Sequence, residues 1–330
     1  MNLSILDQSP ILSGMTARDA LRASVELAKA GETLGYTRYW IAEHHNLSGL
    51  ACPSPEVMLG ILGENTTSIR IGSGAVLLPN YRPYKVAESF NLLSTLFPGR
   101  VDLGIGRAPG GSAEASIALS GNFLKNVAEM PDRLKELLSF LYNNFPESDL
   151  NSKISASPLP SVPPKPWLLG TSEKSALLAG KNGTAYAFGH FMSDKDGAAI
   201  VKSYKDTFIP NEQLQKSEAI VTVSAICAET SEQAEDLAKS FLVWQIQQLN
   251  GLSKCLPALG EAKKYFLSAD EKQIYEKMKK KIIIGNPAQV KQQLLEIQTS
   301  YNVDEIMIVS ITPSYEKRIR SYSLIAEECL

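Results

Sequence analysis

Trp40-Ile41-Ala42-Glu43-His44-His45 is a short apolar run that ends abruptly in one carboxylate and two imidazoles, and it holds two of the chain's three histidines. A run of this length reads as a buried strand. Polar groups at the carboxyl end of a buried parallel strand sit where ligands bind, because the strand holds them rigid and the next loop opens the site. Adjacent strand residues point to opposite faces, so at most one of His44 and His45 can aim straight into a barrel mouth and the other has a structural place. A second reading is equally open at this level: Glu43, His44 and His45 begin a solvated loop that merely stops the strand. Imidazole changes charge between about pH 5 and 8, which suits a general acid or base, and a nearby carboxylate would fix its tautomer. The spacing does not suit a metal. The zincin pattern needs two histidines on one helix face and the inverted pattern a histidine three residues before the Glu-His pair, where Ile41 and Ala42 offer no ligand.

Outward from this stretch, short apolar, β-branched runs alternate with segments of helical periodicity, which implies a parallel sheet. Leu3 to Leu6 precedes an amphipathic helix around Thr16 to Leu34, whose Ala20, Ala23, Leu27 and Ala30 recur every three to four residues before Gly35 ends it. Tyr39 to Ala42 is the second strand. Ser54-Pro55-Glu56 opens a helix to about Glu64, with Ser54 as N-cap. Ile69 to Leu77 is the third strand, followed by a helix near Pro83 to Leu96, and Val101 to Ile105 is the fourth. A long polar and helical excursion then runs to the proline-rich Pro158 to Pro166. Trp167 to Leu169 and Ala185 to Phe188 bracket a short helix, Ile220 to Ala228 alternates clearly, and Glu305 to Val309 is the eighth strand. Val243 to Gly285 exceeds an ordinary connection and reads either as a lid at the upper rim or as a plain helical pair. Eight strand candidates, and no acidic ribose-binding residue after a glycine fingerprint, favour an α/β fold of the (β/α)8 TIM-barrel type over a doubly wound sheet. The expectation is a single domain, residues 1–330, with insertions after strands four and seven.

The charge balance excludes some partners. With 33 basic and 35 acidic side chains and a formal net charge of -2, the chain has no basic track for a phosphate backbone, and nucleic acid is not expected. The lysine cluster from Lys277 to Lys281 reads as a solvated face or a helix C-terminus. Cys52, Cys227, Cys255 and Cys329 lack paired spacing, and no cationic-then-apolar leader precedes Leu3, so a reduced, cytoplasmic protein is expected. No apolar run approaches the roughly 20 residues that cross a bilayer, so no membrane association is expected.

Three other segments invite a ligand. Gly104-Ile105-Gly106-Arg107-Ala108-Pro109-Gly110-Gly111 follows a strand directly, and its glycines let backbone approach a ligand. It is neither a P-loop nor a dinucleotide turn, since it lacks the Gly-Lys-Ser/Thr ending and Pro109 disrupts the glycine count. Arg107 offers planar paired donors to a phosphate, against the alternative of a plain glycine-rich turn. Gly170-Thr171-Ser172-Glu173-Lys174-Ser175 opens a helix, where hydroxyls and unsatisfied N–H groups make an anion site, or where Ser172 or Thr171 simply caps the helix. Gly72-Ser73-Gly74-Ala75 puts small residues inside an apolar strand, which marks a bulge or a flat ligand pressed on backbone. Two phosphate-type strand ends beside a histidine-bearing one imply a phosphorylated cofactor across one rim of a barrel.

Together these segments resemble the bacterial luciferase-like family of flavin-dependent monooxygenases, and the resemblance covers nearly the entire chain. Trp40 to His45 is similar to that family's Trp-x-x-Glu-His-His strand end, and Gly99 to Arg107 to its Gly-Arg-x-x-x-Gly-x-x-Arg segment. Gly285-Asn286-Pro287 and Asp304-Glu305-Ile306-Met307 resemble its closing elements. The resemblance implies an oxidoreductase that uses FMN, reduced by a separate flavin reductase, with O2 and a small organic substrate, and that forms a homodimer. Arg107, Ser172 and Ser175, with Thr171 beside them, would hold the flavin phosphate. Gly74 and Ala75 would support the isoalloxazine, where the family commonly has a non-proline cis peptide. Gly106 would lie near the ring edge, where the luciferases proper carry a cysteine, a departure that argues against efficient light emission. His44 would be the general base or acid, with Glu43 or His45 orienting its surroundings. His190 and Tyr81 are rim or substrate-contact candidates, and Glu88 with the Tyr81 to Tyr84 loop could contact substrate or a partner subunit. No metal is implied. Two rivals stay open: a deazaflavin (F420)-dependent oxidoreductase, and a non-catalytic flavin-binding or storage protein that keeps the pocket without turnover.

Overall fold

A computed structural model describes residues 1–252 and 255–330 of the chain. In order its elements are β1 (Asn2–Asp7), α1 (Ala17–Thr33), β2 (Arg38–Ile41), α2 (Pro55–Glu64), β3 (Arg70–Ser73), β4 (Val76–Leu77), α3 (Pro83–Leu96) and β5 (Val101–Gly106). Three helices follow, α4 (Ala113–Ser120), α5 (Phe123–Ala128) and α6 (Met130–Tyr142), then β6 (Lys165–Gly170), α7 (Glu173–Lys181), β7 (Ala185–Gly189), α8 (Gly197–Asp206) and β8 (Ala219–Cys227). The chain ends with α9 (Ser231–Leu249), α10 (Leu259–Lys264), α11 (Ala269–Lys279), β9 (Ile282–Gly285), α12 (Pro287–Tyr301), β10 (Glu305–Val309) and α13 (Tyr315–Cys329).

The parallel strands run in the order β10-β1-β2-β3-β5-β6-β7-β8, and β8 pairs back onto β10, so the sheet closes into the expected eight-stranded barrel with helices between strands. The expected third strand is interrupted. β3 stops at Ser73, the Gly74–Ala75 peptide bond is cis, and β4 resumes against β5 alone with Val76 opposite Ile105 and Leu77 opposite Gly106. β8 is long because it pairs with β9 as well as with its two barrel neighbours, β7 and β10. Its first half pairs with β10, and Ser224 to Cys227 pair with β9, a strand that stands off the barrel.

Alternation along β2 orients the wall. Trp40 and Ala42 join the cluster inside the barrel, while Tyr39 and Ile41 join the larger core between the barrel and its helices. Inside, Trp40 and Trp167 meet edge to face with centroids 5.4 Å apart. Gly72 makes room for them, since a Cβ there would stand 2.7 Å from the Trp40 ring. Nearer the strands' amino ends the barrel is floored by charge. Arg38 donates to Glu305 at 2.6 and 2.8 Å and to Asp102 at 2.7 Å, Arg70 donates to Asp102 at 2.6 Å, and the Trp40 indole N–H adds a bond to Asp102 at 3.0 Å. Ser4 donates to Glu305 as well.

Several local expectations are refined. Thr16 forms a capping box with Asp19 and starts α1, whereas Ser54 occupies the N-cap position of α2 without a side-chain hydrogen bond. Val243 lies inside α9, so the excursion between the seventh and eighth barrel strands starts later than the sequence predicts. It contains α10, α11 and β9, and Ser253 and Lys254 within it lie outside the described residues. Three of the four lysines at and just past the end of α11 form ion pairs: Lys281 and Lys277 reach Asp194 at 2.5 and 3.7 Å, and Lys279 reaches Glu235 at 2.6 Å. Among the described residues, no helix is long and apolar enough to cross a membrane.

Candidate active site

The carboxyl ends of β1 to β8 surround a cavity of about 340 Å³. Residues 42, 43 and 44, just past β2, line it together with Gly74, Ala75, Leu77, Gly106, Arg107 and the segment from Leu169 to Ser172. The structure therefore gathers at one opening His44, Glu43, Gly74, Ala75, Gly106, Arg107, Thr171, Ser172 and Ser175, which lie far apart in sequence.

The two histidines part as the alternation requires. His44 lines the cavity, and its Nδ1 is buried with no hydrogen-bond partner among the described residues. Burial, reinforced by the neighbouring His45, pushes its pKa down to about 4, so the ring is neutral at pH 7. His45 turns away to Glu43, with its Nε2 2.7 Å from Oε1. The expectation that a carboxylate fixes the tautomer of the cavity-facing imidazole is thus corrected: residues i and i+2 share a strand face, so Glu43 pairs with His45 and not with His44. Glu43 is almost fully buried and also accepts from the Tyr81 hydroxyl at 2.9 Å and the Leu77 N–H at 3.1 Å. Glu43 therefore ties the end of β2 to β4 and to the turn after it. The loop after β5 closes the other side, since the His45 N–H donates to the Gly110 carbonyl at 2.8 Å. Gly110 has φ +70, and a Cβ there would lie 2.1 Å from Leu77, so this close approach needs glycine.

Small residues leave one part of the cavity wall without large side chains. Gly74, Ala75 and Gly106 meet where β4 resumes, and a Cβ on Gly106 would stand 3.1 Å from that of Ala75. At the mouth Arg107 is exposed and makes no ion pair among the described residues, so its guanidinium is available to an anion. The capping reading of the segment from Gly170 to Ser175 is the one the structure displays. Ser172 caps α7 in a reciprocal box with Ser175, and both serines also line the cavity. Ser175 Oγ donates to the Ser172 carbonyl at 2.6 Å and lies 3.1 Å from the Tyr186 hydroxyl. The helix N-terminus thus faces the same opening as Arg107.

Two rim candidates stand elsewhere. His190 points to Tyr301, its Nδ1 2.7 Å from the hydroxyl, and it is not among the lining residues; its neighbours Phe191 and Met192 are. Tyr81 lies behind Glu43 and not in the cavity wall. Glu88 lies on α3, 3.4 Å from Lys85. Sequence reasoning missed Gln8 beyond β1 and Thr222 on β8, which line the cavity in register with the inward positions Leu6 and Ile220. Alternation counted past the strand ends would have found them.

A closed parallel barrel with a histidine, an arginine and a helix N-terminus around a cavity at its carboxyl rim has the layout of a barrel enzyme. Residues 1–302 match the family model described as luciferase-like monooxygenase, and the chain belongs to that family. It is 40% identical over 327 residues to the Bacillus subtilis (strain 168) uncharacterized protein YceB, covering 99% of each chain. It is 35% identical over 336 residues to the N-acetyl-S-alkylcysteine monooxygenase of the same organism, covering 100% of this chain and 98% of that one. The crystal structure of apo-MsnO8 superposes with a TM-score of 0.90 at 32% identity, covering 99% of this chain and 98% of that one. The protein is accordingly a monooxygenase-type oxidoreductase.

Proposed function

We propose that the chain, acting as one domain, binds reduced FMN in this cavity and uses it with O2 to oxidise a small organic substrate. The observation that supports this most is the convergence of three different requirements on one opening. A phosphate needs a cation and N–H donors, which Arg107 and the N-terminus of α7 offer with Thr171, Ser172 and Ser175. A flat ring needs a surface without side chains, which Gly74, Ala75 and Gly106 offer. A reacting substrate needs a proton donor or acceptor, and the orphaned Nδ1 of His44 is a polar atom that burial leaves unpaired until a ligand arrives. Bound reduced flavin would supply the electrons that activate oxygen. The chain's own part is to hold the ring, exclude water with Leu77, Leu169, Phe191 and Met192, and move a proton at His44. Glu43, His45 and Tyr81 keep the end of β2 in place and touch neither phosphate nor ring in this reading.

The test is anaerobic titration with reduced FMN followed by oxygen uptake in the presence of candidate substrates, N-acetyl-S-alkylcysteines first, with His44→Ala beside the natural chain. Tight binding and substrate-dependent oxygen uptake that falls in the variant support the proposal. Failure to bind reduced FMN sends the assignment to the deazaflavin F420, and binding without substrate turnover to a flavin store. A separate reductase would supply the reduced flavin, since this cavity is the one that the reading assigns to FMN. A homodimer is supported by Val57 and Ile61 on α2 and Leu92 and Leu96 on α3, large apolar side chains that neighbouring helices leave exposed. Light scattering on the purified chain measures that directly.

A further inference from the structure

A second cavity, of about 380 Å³, opens beside the turn that follows β4, and it shares no lining residue with the active-site cavity. Its walls come from that turn (Asn80, Tyr81, Arg82) and from the excursion after β5 (residues 119–133). Three of its side chains are cationic, Arg82, Lys125 and Arg133, against the single carboxylate of Glu129. Glu129 is held at 3.4 Å by Arg133 and 3.7 Å by Lys125, which leaves Arg82 without an ion pair among the described residues.

The polar groups at its base are unsatisfied. Asn80 is 4% exposed and Arg133 is 8% exposed, yet neither the Oδ1 nor the Nδ2 of Asn80, nor the Nε of Arg133, has a hydrogen-bond partner among the described residues. Buried amide and guanidinium atoms lose their water and are normally paired, so three orphans at one cavity mark a partner from outside the chain. Both terminal nitrogens of Arg133 are engaged, Nη1 donating to the Tyr81 carbonyl at 3.1 Å and Nη2 to the Asn126 carboxamide oxygen at 2.5 Å and to Glu129 at 3.4 Å, which fixes the guanidinium plane. The net positive lining selects an anion with planar or tetrahedral oxygens, and Asn80 Oδ1 needs a hydrogen donated to it. The volume lies within the range of about 300–1,000 Å³ that small-molecule sites occupy and far exceeds one water.

We propose that this cavity is a second ligand site, which takes a small organic oxyanion, a carboxylate or phosphate ester with a hydroxyl or amide donor beside it. It adjoins the active site through Tyr81, whose hydroxyl reaches Glu43 while its carbonyl holds Arg133.

Calorimetric titration of the full chain with inorganic phosphate and with L-malate, at constant ionic strength set by chloride, tests it. The same titrations of Arg107→Ala silence the anion pole of the active-site cavity and isolate the second site. Saturable binding of one probe or both is expected to persist in Arg107→Ala. It should weaken about tenfold in Asn80→Ala and several-fold in Lys125→Ala, a change at an exposed position that leaves the fold intact. Malate without phosphate would assign a carboxylate ligand, and phosphate without malate a phosphate ester. Binding that vanishes in Arg107→Ala but survives Asn80→Ala and Lys125→Ala overturns the proposal, as does the absence of binding by either probe.

Discussion

The two ends of the barrel treat buried polar groups in opposite ways. At the amino end, Arg38, Asp102 and Glu305 close a circuit in which Arg70, Ser4 and the Trp40 indole take up further oxygens. Burial works against the charges of Arg38 and Asp102, but Asp102 and Glu305 hold Arg38 above its ordinary pKa, and the two arginines hold Asp102 below the usual carboxylate range. At the carboxyl end, His44 Nδ1 has no hydrogen-bond partner and Arg107 no ion pair among the described residues, and the pKa of His44 falls because burial is not compensated. A closed circuit stabilises and specifies; an open one waits for a ligand. Polar groups therefore point to function here only where their pairing is incomplete.

Breaking the floor should give the largest effect. Asp102→Asn leaves the buried Arg38 and the half-buried Arg70 beside an uncharged amide, and stability in urea should fall by about 3–5 kcal/mol. FMN affinity of the molecules that fold should stay as it was, and a loss below about 1 kcal/mol would show that the floor is not a closed unit. At the mouth the signs reverse. His44→Ala should lower turnover by about 10²-fold or more with stability unchanged or raised, because no hydrogen bond is lost. Unaltered turnover would remove His44 from proton transfer. Arg107→Ala should weaken FMN binding by about 1.5–3 kcal/mol, roughly ten- to a hundredfold, while the unfolding curve moves by less than about 0.5 kcal/mol. A matching loss of stability would mean that Arg107 belongs to the scaffold.

The mouth was far more legible in the sequence than the floor. Strand ends carry their ligand groups in consecutive residues, so Trp40 to His45, Gly104 to Gly111 and Gly170 to Ser175 show both the element and the chemistry locally. The floor depends on register. Arg38 lies opposite Arg70, Gly72 opposite Asp102 and Asn2 opposite Glu305, and spacing along the chain does not contain those pairings. Asp102 and Glu305 both lie within the segments that carry the family resemblance, without any local sign that they meet through Arg38. β9 was hidden for a related reason: it is four residues long, pairs only with the outer half of β8, and follows a charged helix. The interruption between β3 and β4 was partly visible, since Gly72 and Gly74 weaken an otherwise apolar run. The partner of Glu43 was also available from strand alternation alone, which places it on the side of His45.

Acid should separate the two ends by the pH at which each gives way. The His44 pKa of about 4 in the folded chain lies below its ordinary 6.5, so the unfolded chain takes up that proton first as pH falls. Stability is then lost between pH 6.5 and about 4, with a slope of at most about 1.4 kcal/mol per pH unit for one group, and no further loss comes from His44 below that window. His190, lowered by burial and by Lys281, contributes with the same sign. Asp102 behaves otherwise: its folded pKa lies below 3.8, so its contribution is complete above that value and is lost only as pH falls further. Urea unfolding of the chain across pH 7 to 3 should therefore show two limbs. The double variant His44→Asn, His190→Asn should flatten the upper limb and leave the lower one, whereas an upper limb that survives both changes would assign the acid sensitivity to groups other than these two histidines.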